Sequence, residues 1–462
     1  MQLFESIRGI FRIPDLRKRL LFTFAMLAVY RLGGFIPIPG IDIDRWQDFL
    51  QQQSGSILGF FDMFAGGSIK RLSVFALGVM PYITASILLQ LLTAIVPRLE
   101  RLQKEGELGR RKINQWTRYL AVALGIVQAF LMAAGLQSAR ENIVAAPGAG
   151  FILITILSLT TGTAFIMWLG EQITERGIGN GMSLIVFTGI VAGVPSAIGN
   201  IYTNVFITRE WSLLQLAVVL GMMIAVVAVI VLVELGERRI PVHYARRTAS
   251  AKAAASQATH MPLKVNAGGV IPVIFASSLL AFPQTVADYP LVRNTPWLNQ
   301  ALRTIRHGEP LYLLFFAALI VFFSFFYVSL VFNPSEVADN MRRYGGFIPG
   351  IRPGRPTSDY LEVILTRLTF VGAVYLSVLC LIPDIMMAGI HLQNLPLVGN
   401  WIDRNFPALI LEGLNVRFAF GGTSLLIVVG VAMDTIDQIE AQLIMRHYEG
   451  FTPRAGRIRG RR

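Results

Sequence analysis

Cysteine is almost absent: Cys380 is the only one in 462 residues. A disulfide framework and a thiolate metal site are both excluded. The five histidines (His243, His260, His307, His391 and His447) are scattered without ligand spacing, which leaves no imidazole metal centre in view. Three motifs are also missing. There is no GxxxxGK[ST] phosphate loop, no GxSxG elbow and no HExxH pair, so nucleotide hydrolysis and hydrolase chemistry have no candidate residues. No enzyme activity and no cofactor are expected. The nearest glycine-rich stretch, Gly177-Ile178-Gly179-Asn180-Gly181, has no strand before it and reads as a flexible membrane re-entry. Charge is scarce too, at 15% of residues, and acidic residues number 28 against 41 basic.

Apolar residues fill the space left by charge: 54% of the chain is hydrophobic and the mean hydropathy is +0.57. That balance marks a polytopic membrane protein. Crossing the bilayer as a helix takes about 20 apolar residues. Ten such runs are present, centred on Leu21–Phe35, Leu72–Val96, Tyr119–Leu136, Phe151–Leu169, Met182–Ile201, Leu213–Leu235, Val265–Pro283, Leu311–Phe332, Leu368–Met387 and Ala419–Met433. Most of the basic residues fall in the two termini and in the loops after the second, sixth and eighth spans. Both termini therefore face the cytoplasm by the positive-inside rule. Phe4–Leu20, with Arg8, Arg12, Arg17, Lys18 and Arg19 among apolar residues, reads as an interfacial amphipathic helix. It lacks a small-residue cleavage site, so it is not a cleaved signal, and no transit peptide is seen.

The chain repeats itself. Gly78-Val79-Met80-Pro81-Tyr82-Ile83-Thr84-Ala85-Ser86-Ile87-Leu88-Leu89 matches Gly269-Val270-Ile271-Pro272-Val273-Ile274-Phe275-Ala276-Ser277-Ser278-Leu279-Leu280 at eight of twelve positions. A shorter echo links Gly181–Leu184 with Gly422–Leu425. Both pairs lie five spans apart, so the halves enter the membrane from opposite sides and form an inverted repeat. Counted from the starts of their spans, Ile83 and Ile274 reach roughly 12–17 Å of depth at 1.5 Å per residue. A proline two residues earlier would loosen each helix there. Two matched bendable helices with aliphatic side chains at mid-depth suggest a gate. Ionisable residues deep in spans are few, chiefly Arg31, Asp434 and Asp437. A five-plus-five inverted-repeat secondary transporter, the alternative reading, would place carboxylates at mid-depth.

Several long runs resemble the SecY family of protein-conducting channels. They are Phe35–Ile41 (FIPIPGI), Phe75–Leu92 (FALGVMPYITASILLQLL), Lys104–Tyr119, Gly162–Leu184, Thr259–Ser278, Pro349–Thr357 (PGIRPGRPT) and Phe420–Val429. The resemblance implies an all-α polytopic fold of ten transmembrane helices in two inverted, pseudo-symmetric halves of five, with a re-entrant plug half-helix. On that pattern residues 1–20 form the N-terminal helix and 21–203 the first half, with its plug at 55–68. Residues 204–440 form the second half, with cytoplasmic loops at 236–264 and 333–365, and 441–462 the basic tail. The resemblance further implies a pore ring of Val79, Ile83, Met182, Val186, Ile274 and Ile427, aliphatic so that it seals without binding. It implies a plug bearing Ile57, Phe60, Phe61 and Phe64, hinged at Gly66 and Gly67, and a lateral gate marked by Pro81, Ser86, Pro272 and Ser277. The run Ile57–Phe64 is itself too short to span, which suits a displaceable plug.

Two cytoplasmic loops carry more arginine than topology needs. One holds Arg238, Arg239, Arg246, Arg247 and Lys252. The other holds Arg342, Arg343, Arg352 and Arg355, with Arg352 set between Pro349-Gly350 and Pro353-Gly354. A stiff basic tip suits ribosomal RNA or an acidic protein surface. The partners implied are the small membrane subunits SecE and SecG, the SecA motor ATPase, the ribosome, precursor proteins bearing signal sequences, and the lipid bilayer. The membrane implied is the bacterial plasma membrane.

Overall fold

The computed structural model describes residues 13–52, 65–138, 143–209, 211–244, 259–287, 309–388 and 421–449. They divide into two compact units, Met1–Gly193 with Val431–Arg462, and Val194–Gly430. This division by packing differs from the division by repeat, since it breaks after Gly193 and assigns Val431 onward to the first unit.

The first unit contains α1 (Pro14–Gly33), α2 (Ile43–Gln52), α3 (Met80–Ile95), α4 (Pro97–Lys104), α5 (Glu107–Ser138), α6 (Ala149–Arg176) and α7 (Gly181–Val191). Proline opens α1, α3 and α4 at the first or second position, where its missing N–H costs no helical bond. Pro97 also drives Val96 into an extended conformation (φ −97°, ψ 111°), because its ring clashes with a helical predecessor. The chain consequently turns by 105° between α3 and α4. The second unit holds α8 (Val194–Tyr202), α9 (Leu213–Glu234), β1 (Glu237–Tyr244), β2 (Thr259–Lys264), α10 (Ile271–Ala287), α11 (Pro310–Val331), α12 (Pro334–Arg343), β3 (Gly346–Phe347) and α13 (Arg355–Ala388). The last helix, α14 (Gly422–Glu449), begins in this unit.

Among the described residues, seven helical stretches are long and apolar enough to cross a membrane, or eight with the bent α3–α4 pair. The first and seventh expected spans lie on α1, which carries Asp15, Arg17, Lys18, Arg19 and Arg31, and on the shorter α10. Lipid-facing surface is expected of such helices, and Leu213, Leu214, Ile224 and Leu232 on α9 are all exposed.

Three expectations need correction. No break separates an interfacial helix from the first span at Leu20: α1 runs unbroken from Pro14 to Gly33, and Met1–Arg12 lie outside the described residues. The second span does not begin as helix at Leu72, because residues 65–79 are turns broken only by a bridge from Ser73 to Pro37, and α3 starts at Met80. The seventh likewise starts at Ile271 and not at Val265. An apolar run reports burial, and buried turns satisfy it as well as a helix when their backbone groups find partners.

The three strands form an antiparallel sheet ordered β2-β1-β3, in which Glu237 pairs with Lys264 and His243 with Phe347. Ile240, Val242 and Leu263 face an apolar cluster with Met341, Ile348, Leu361, Ile364 and Leu365. That core seats the loops carrying the candidate arginines on α12 and α13.

Candidate gate and docking surfaces

The two copies of the repeat begin their helices in the same way. Gly78 and Gly269 take φ of +56° and +58°, a region that glycine enters without strain. The N–H of Gly78 donates to the Phe75 carbonyl at 2.9 Å, and that of Gly269 to the Asn266 carbonyl at 3.2 Å. Ile83 then donates to Val79 at 3.1 Å and Ile274 to Val270 at 3.2 Å. Pro81 and Pro272 are the second residues of α3 and α10. They start helices and do not bend them, so the mid-span kink expected of them is absent. The depths reckoned for Ile83 and Ile274 fall with it, since both sit in a first helical turn. Ser86 Oγ accepts from Gln90 Nε2 at 3.1 Å. Ser277 donates to the Ile274 carbonyl at 3.0 Å.

Of the candidate ring residues, Val79, Ile83 and Val186 are buried in the first unit, and Ile274 and Ile427 in the second. Met182 is half-buried, and its sulfur occupies the space left open by Gly170 on α6. Gly430 admits Val270 in the same manner, since a Cβ there would overlap the valine side chain. These glycines bring α6 against α7, and α14 against the turn that starts α10.

The turns before α3 are clamped by side chains. Tyr30 donates to the Ala65 carbonyl at 3.4 Å, Arg31 Nη1 to the Gly66 carbonyl at 2.7 Å, and Trp46 Nε1 to the Ile69 carbonyl at 2.9 Å. The backbone of residues 36–38 adds two bonds, Ile38 N–H to Leu72 at 2.9 Å and Val74 N–H to Ile36 at 2.9 Å. The clamp holds buried Leu72 at φ +40°, which costs on the order of 1 kcal/mol or more for a residue with a Cβ. Arg31 is thus a capping group for turn carbonyls, a role invisible in the sequence. Gly66 (φ +66°) is itself a close-packed point, its Cβ position lying 2.9 Å from Gly189 Cα on α7. Gly67 (φ +81°) faces open space. Any torsional freedom in the pair therefore belongs to Gly67. Ile57, Phe60, Phe61 and Phe64 lie outside the described residues.

The glycine-rich stretch expected to be flexible is instead bonded along its length. The N–H of Ile178 donates to Thr23 Oγ1 at 3.1 Å, that of Gly179 to Gln438 Oε1 at 3.0 Å, and that of Gly181 to Thr174 Oγ1 at 2.9 Å. Asn180 caps α7 by accepting from Met182 and Ser183. Glycine is needed at Gly181 because a Cβ would overlap the Gly170 carbonyl. Close approach, and not mobility, explains the glycines. Nearby, Arg118 on α5 is paired with Glu171 on α6.

On the sheet, Arg238 and Arg239 are exposed on β1, with Arg239 3.7 Å from Glu237. Arg342 and Arg343 are exposed in the last turn of α12, where positive charge suits the helix dipole. Exposed Arg352 sits in a built loop. Gly350 and Gly354 take φ of +82° and +107°, Thr357 Oγ1 donates to the Arg352 carbonyl at 2.9 Å, and Ile351 N–H to Ile348 at 3.0 Å. Arg355 opens α13, also exposed. Arg246, Arg247 and Lys252 lie outside the described residues.

Beneath this surface is a buried carboxylate that sequence reading missed. Glu234, the last residue of α9, is 8% exposed, and Asn266 is 4% exposed. Asn266 Nδ2 donates to Glu234 Oε1 at 2.8 Å and to the Gly269 carbonyl at 3.2 Å. Glu234 closes a long apolar run, where it looks like an ordinary helix-end charge. No group of three or more His, Cys, Asp or Glu that could hold a metal occurs among the described residues.

A polytopic helical membrane protein with paired helix starts and a basic, exposed sheet is the class these features define. The SecY family model matches residues 73–436. Protein translocase subunit SecY of Vibrio cholerae is 46% identical over 447 residues, covering 96% of this chain and 95% of that one. The SecY of Escherichia coli is 46% identical over 457 residues, covering 98% and 97%. A solved protein-conducting channel aligns over 94% of both chains with a TM-score of 0.61 at 18% identity. A SecY structure concerned with the plug domain aligns at 0.64 and 17%. This chain belongs to the SecY family.

Proposed function

We infer that the chain is the pore subunit of a protein translocase, conducting unfolded secretory proteins across a membrane and releasing apolar segments sideways into lipid. The observation that carries this reading is the 46% identity to translocase subunits along almost the whole of both chains. The matched starts of α3 and α10 support it: Pro81–Ser86 and Pro272–Ser277, the lateral-gate segments in this reading, each follow a left-handed glycine. Val79, Ile83, Met182, Val186, Ile274 and Ile427 form the aliphatic ring, and the segment before Gly66-Gly67 acts as plug. SecE and SecG are the small membrane partners. SecA and the ribosome dock on Arg238, Arg239, Arg342, Arg343, Arg352 and Arg355, and Arg246, Arg247 and Lys252, outside the described residues, are assigned to the same role. A structure of Sec61 in a canine ribosome–channel complex shares this fold at a TM-score of 0.59, and rigid exposed arginines are suited to phosphate. The membrane is the bacterial plasma membrane, with both termini cytoplasmic.

The secondary-transporter alternative gains nothing from Glu234. That carboxylate ends α9 and is bonded by Asn266, whereas an ion-coupling group belongs at mid-depth. Reconstituting the protein with its membrane partners and motor in vesicles tests the reading: a secreted precursor becomes protease-protected inside. Solute uptake without precursor protection would refute it.

A further inference from the structure

The buried Glu234–Asn266 pair lies at the base of the hairpin made by β1 and β2. From that base a continuous series of hydrogen bonds runs from the docking sheet to the first turn of α10. The ladder pairs Val242 with Thr259 at one end and Glu237 with Lys264 at the other. The next rung is Val265 N–H to the Gly236 carbonyl at 3.0 Å. After it comes Asn266 Nδ2 to Glu234 Oε1 at 2.8 Å, and the same amide reaches the Gly269 carbonyl at 3.2 Å. Gly269 is the left-handed residue from which α10 starts.

The other copy of the repeat supplies a comparison. Counting back from the matched Gly-Val-x-Pro, Asn266 corresponds to Phe75. Phe75 stacks on Tyr30 and Phe165 with ring centroids 6.0 Å apart in each case, so at the matched position an aromatic ring stands where the second copy has an amide. At this position the side-chain amide that joins the turn to a buried carboxylate belongs to the half that carries the basic hairpin. Holding the turn does not by itself require a buried charge, which is costly unless fully bonded. A hydrogen bond, unlike an aromatic stack, is directional and is lost over a short displacement, which suits a joint that must transmit movement.

We propose that Glu234 and Asn266 are positioning residues that couple docking on the β1–β2–β3 sheet to the start of the gate helix α10. The inference rests on the functional reading above. A load on Arg238, Arg239 or Arg352 tilts the sheet, and the hairpin base passes that tilt through Asn266 to Gly269.

The test uses full-length protein with its membrane partners in vesicles, and non-translating ribosomes as the docking probe. Two quantities are read: ribosome affinity, and the ribosome-induced change in hydrogen exchange at Val273 and Ile274. In the parent, docking alters exchange at both amides. Glu234→Gln, which keeps an acceptor but loses the charge, retains docking within about twofold and shows a weakened exchange response. Asn266→Leu retains docking and loses the response by about tenfold or more, the scale of one charge-assisted hydrogen bond. If Asn266→Leu does not accumulate, the graded response of Glu234→Gln decides alone. A parental response in both variants overturns the inference, as does a loss of affinity in step with the response, which would mean only a misfolded hairpin. Failure of the parent to bind ribosomes overturns the functional reading, and the inference with it. Docking with no change in exchange overturns the inference alone.

Discussion

Replacing Arg31 should loosen the turns in front of α3 without unfolding the protein. Its guanidinium bonds the Gly66 carbonyl at 2.7 Å, and Gly66 is buried against Gly189 of α7. Hydrogen bonds to a charged donor contribute about 1.5–3 kcal/mol, and orphaning a buried carbonyl costs a similar amount. Both estimates describe the same lost contact, so they are not added. A loss of about 1.5–3 kcal/mol changes the balance between clamped and released turn by roughly 10- to 150-fold. The Arg31–Phe35 contact, at 5.8 Å from the ring centroid, contributes less, about 0.5–1 kcal/mol at a partly exposed site. Arg31→Leu in vesicles should therefore speed hydrogen exchange at Ser68, Leu72 and Ser73 by at least about tenfold. Exchange along α5 should stay unchanged. Arg31→Lys, which keeps one donor, should recover part of the protection. If ion leakage through the closed channel is set by this turn, conductance rises in the same order, Leu above Lys above parent. Parental exchange at all three amides in Arg31→Leu would refute the clamp, whatever the conductance.

Other outcomes follow from the same geometry. Gly181→Ala places a Cβ on the Gly170 carbonyl, so it should destabilise by about 1–3 kcal/mol or more, read as a lowered Tm in detergent. Gly199→Ala, with no atom within 4 Å, is the control and should be neutral or slightly stabilising. Gln438→Leu removes the acceptor for Gly179 N–H and should cost about 1–3 kcal/mol, with faster exchange confined to residues 177–181; Gln438→Glu keeps an acceptor and should spare them. Arg352→Glu should leave Tm and membrane insertion at parental values while motor-driven precursor transport falls by an order of magnitude or more, because the loop is held by backbone and Thr357 contacts and not by that side chain. An equal fall in Tm would assign Arg352 to folding.

What could be read from sequence alone were the features set by local composition. Long apolar runs mark membrane helices because lipid leaves the backbone few alternatives. The doubled Gly-Val-x-Pro motif marked two equivalent places because equal local sequence met equal local geometry, down to φ of +56° and +58°. Arg352 stood out because proline and glycine constrain a loop whatever surrounds it.

Tertiary structure decided the rest. Proline at Pro81 is compatible with a kinked helix or with a helix start, and only the turn at residues 65–79 chose between them. Glycine at Gly179 and Gly181 permits mobility, but contacts with Thr23, Gln438 and Gly170 made it a packed crossing. Arg31 looked like an unexplained charge because its partner is a backbone carbonyl, which every residue has and no sequence pattern distinguishes. Glu234 and Asn266 are separated by the whole hairpin, and their pairing exists only once β1 and β2 have set their register. Composition fixed which segments enter the membrane, since transfer free energy is nearly additive along the chain. The clamps and the hairpin base depend on which distant groups meet, and that information appears only when the chain has folded.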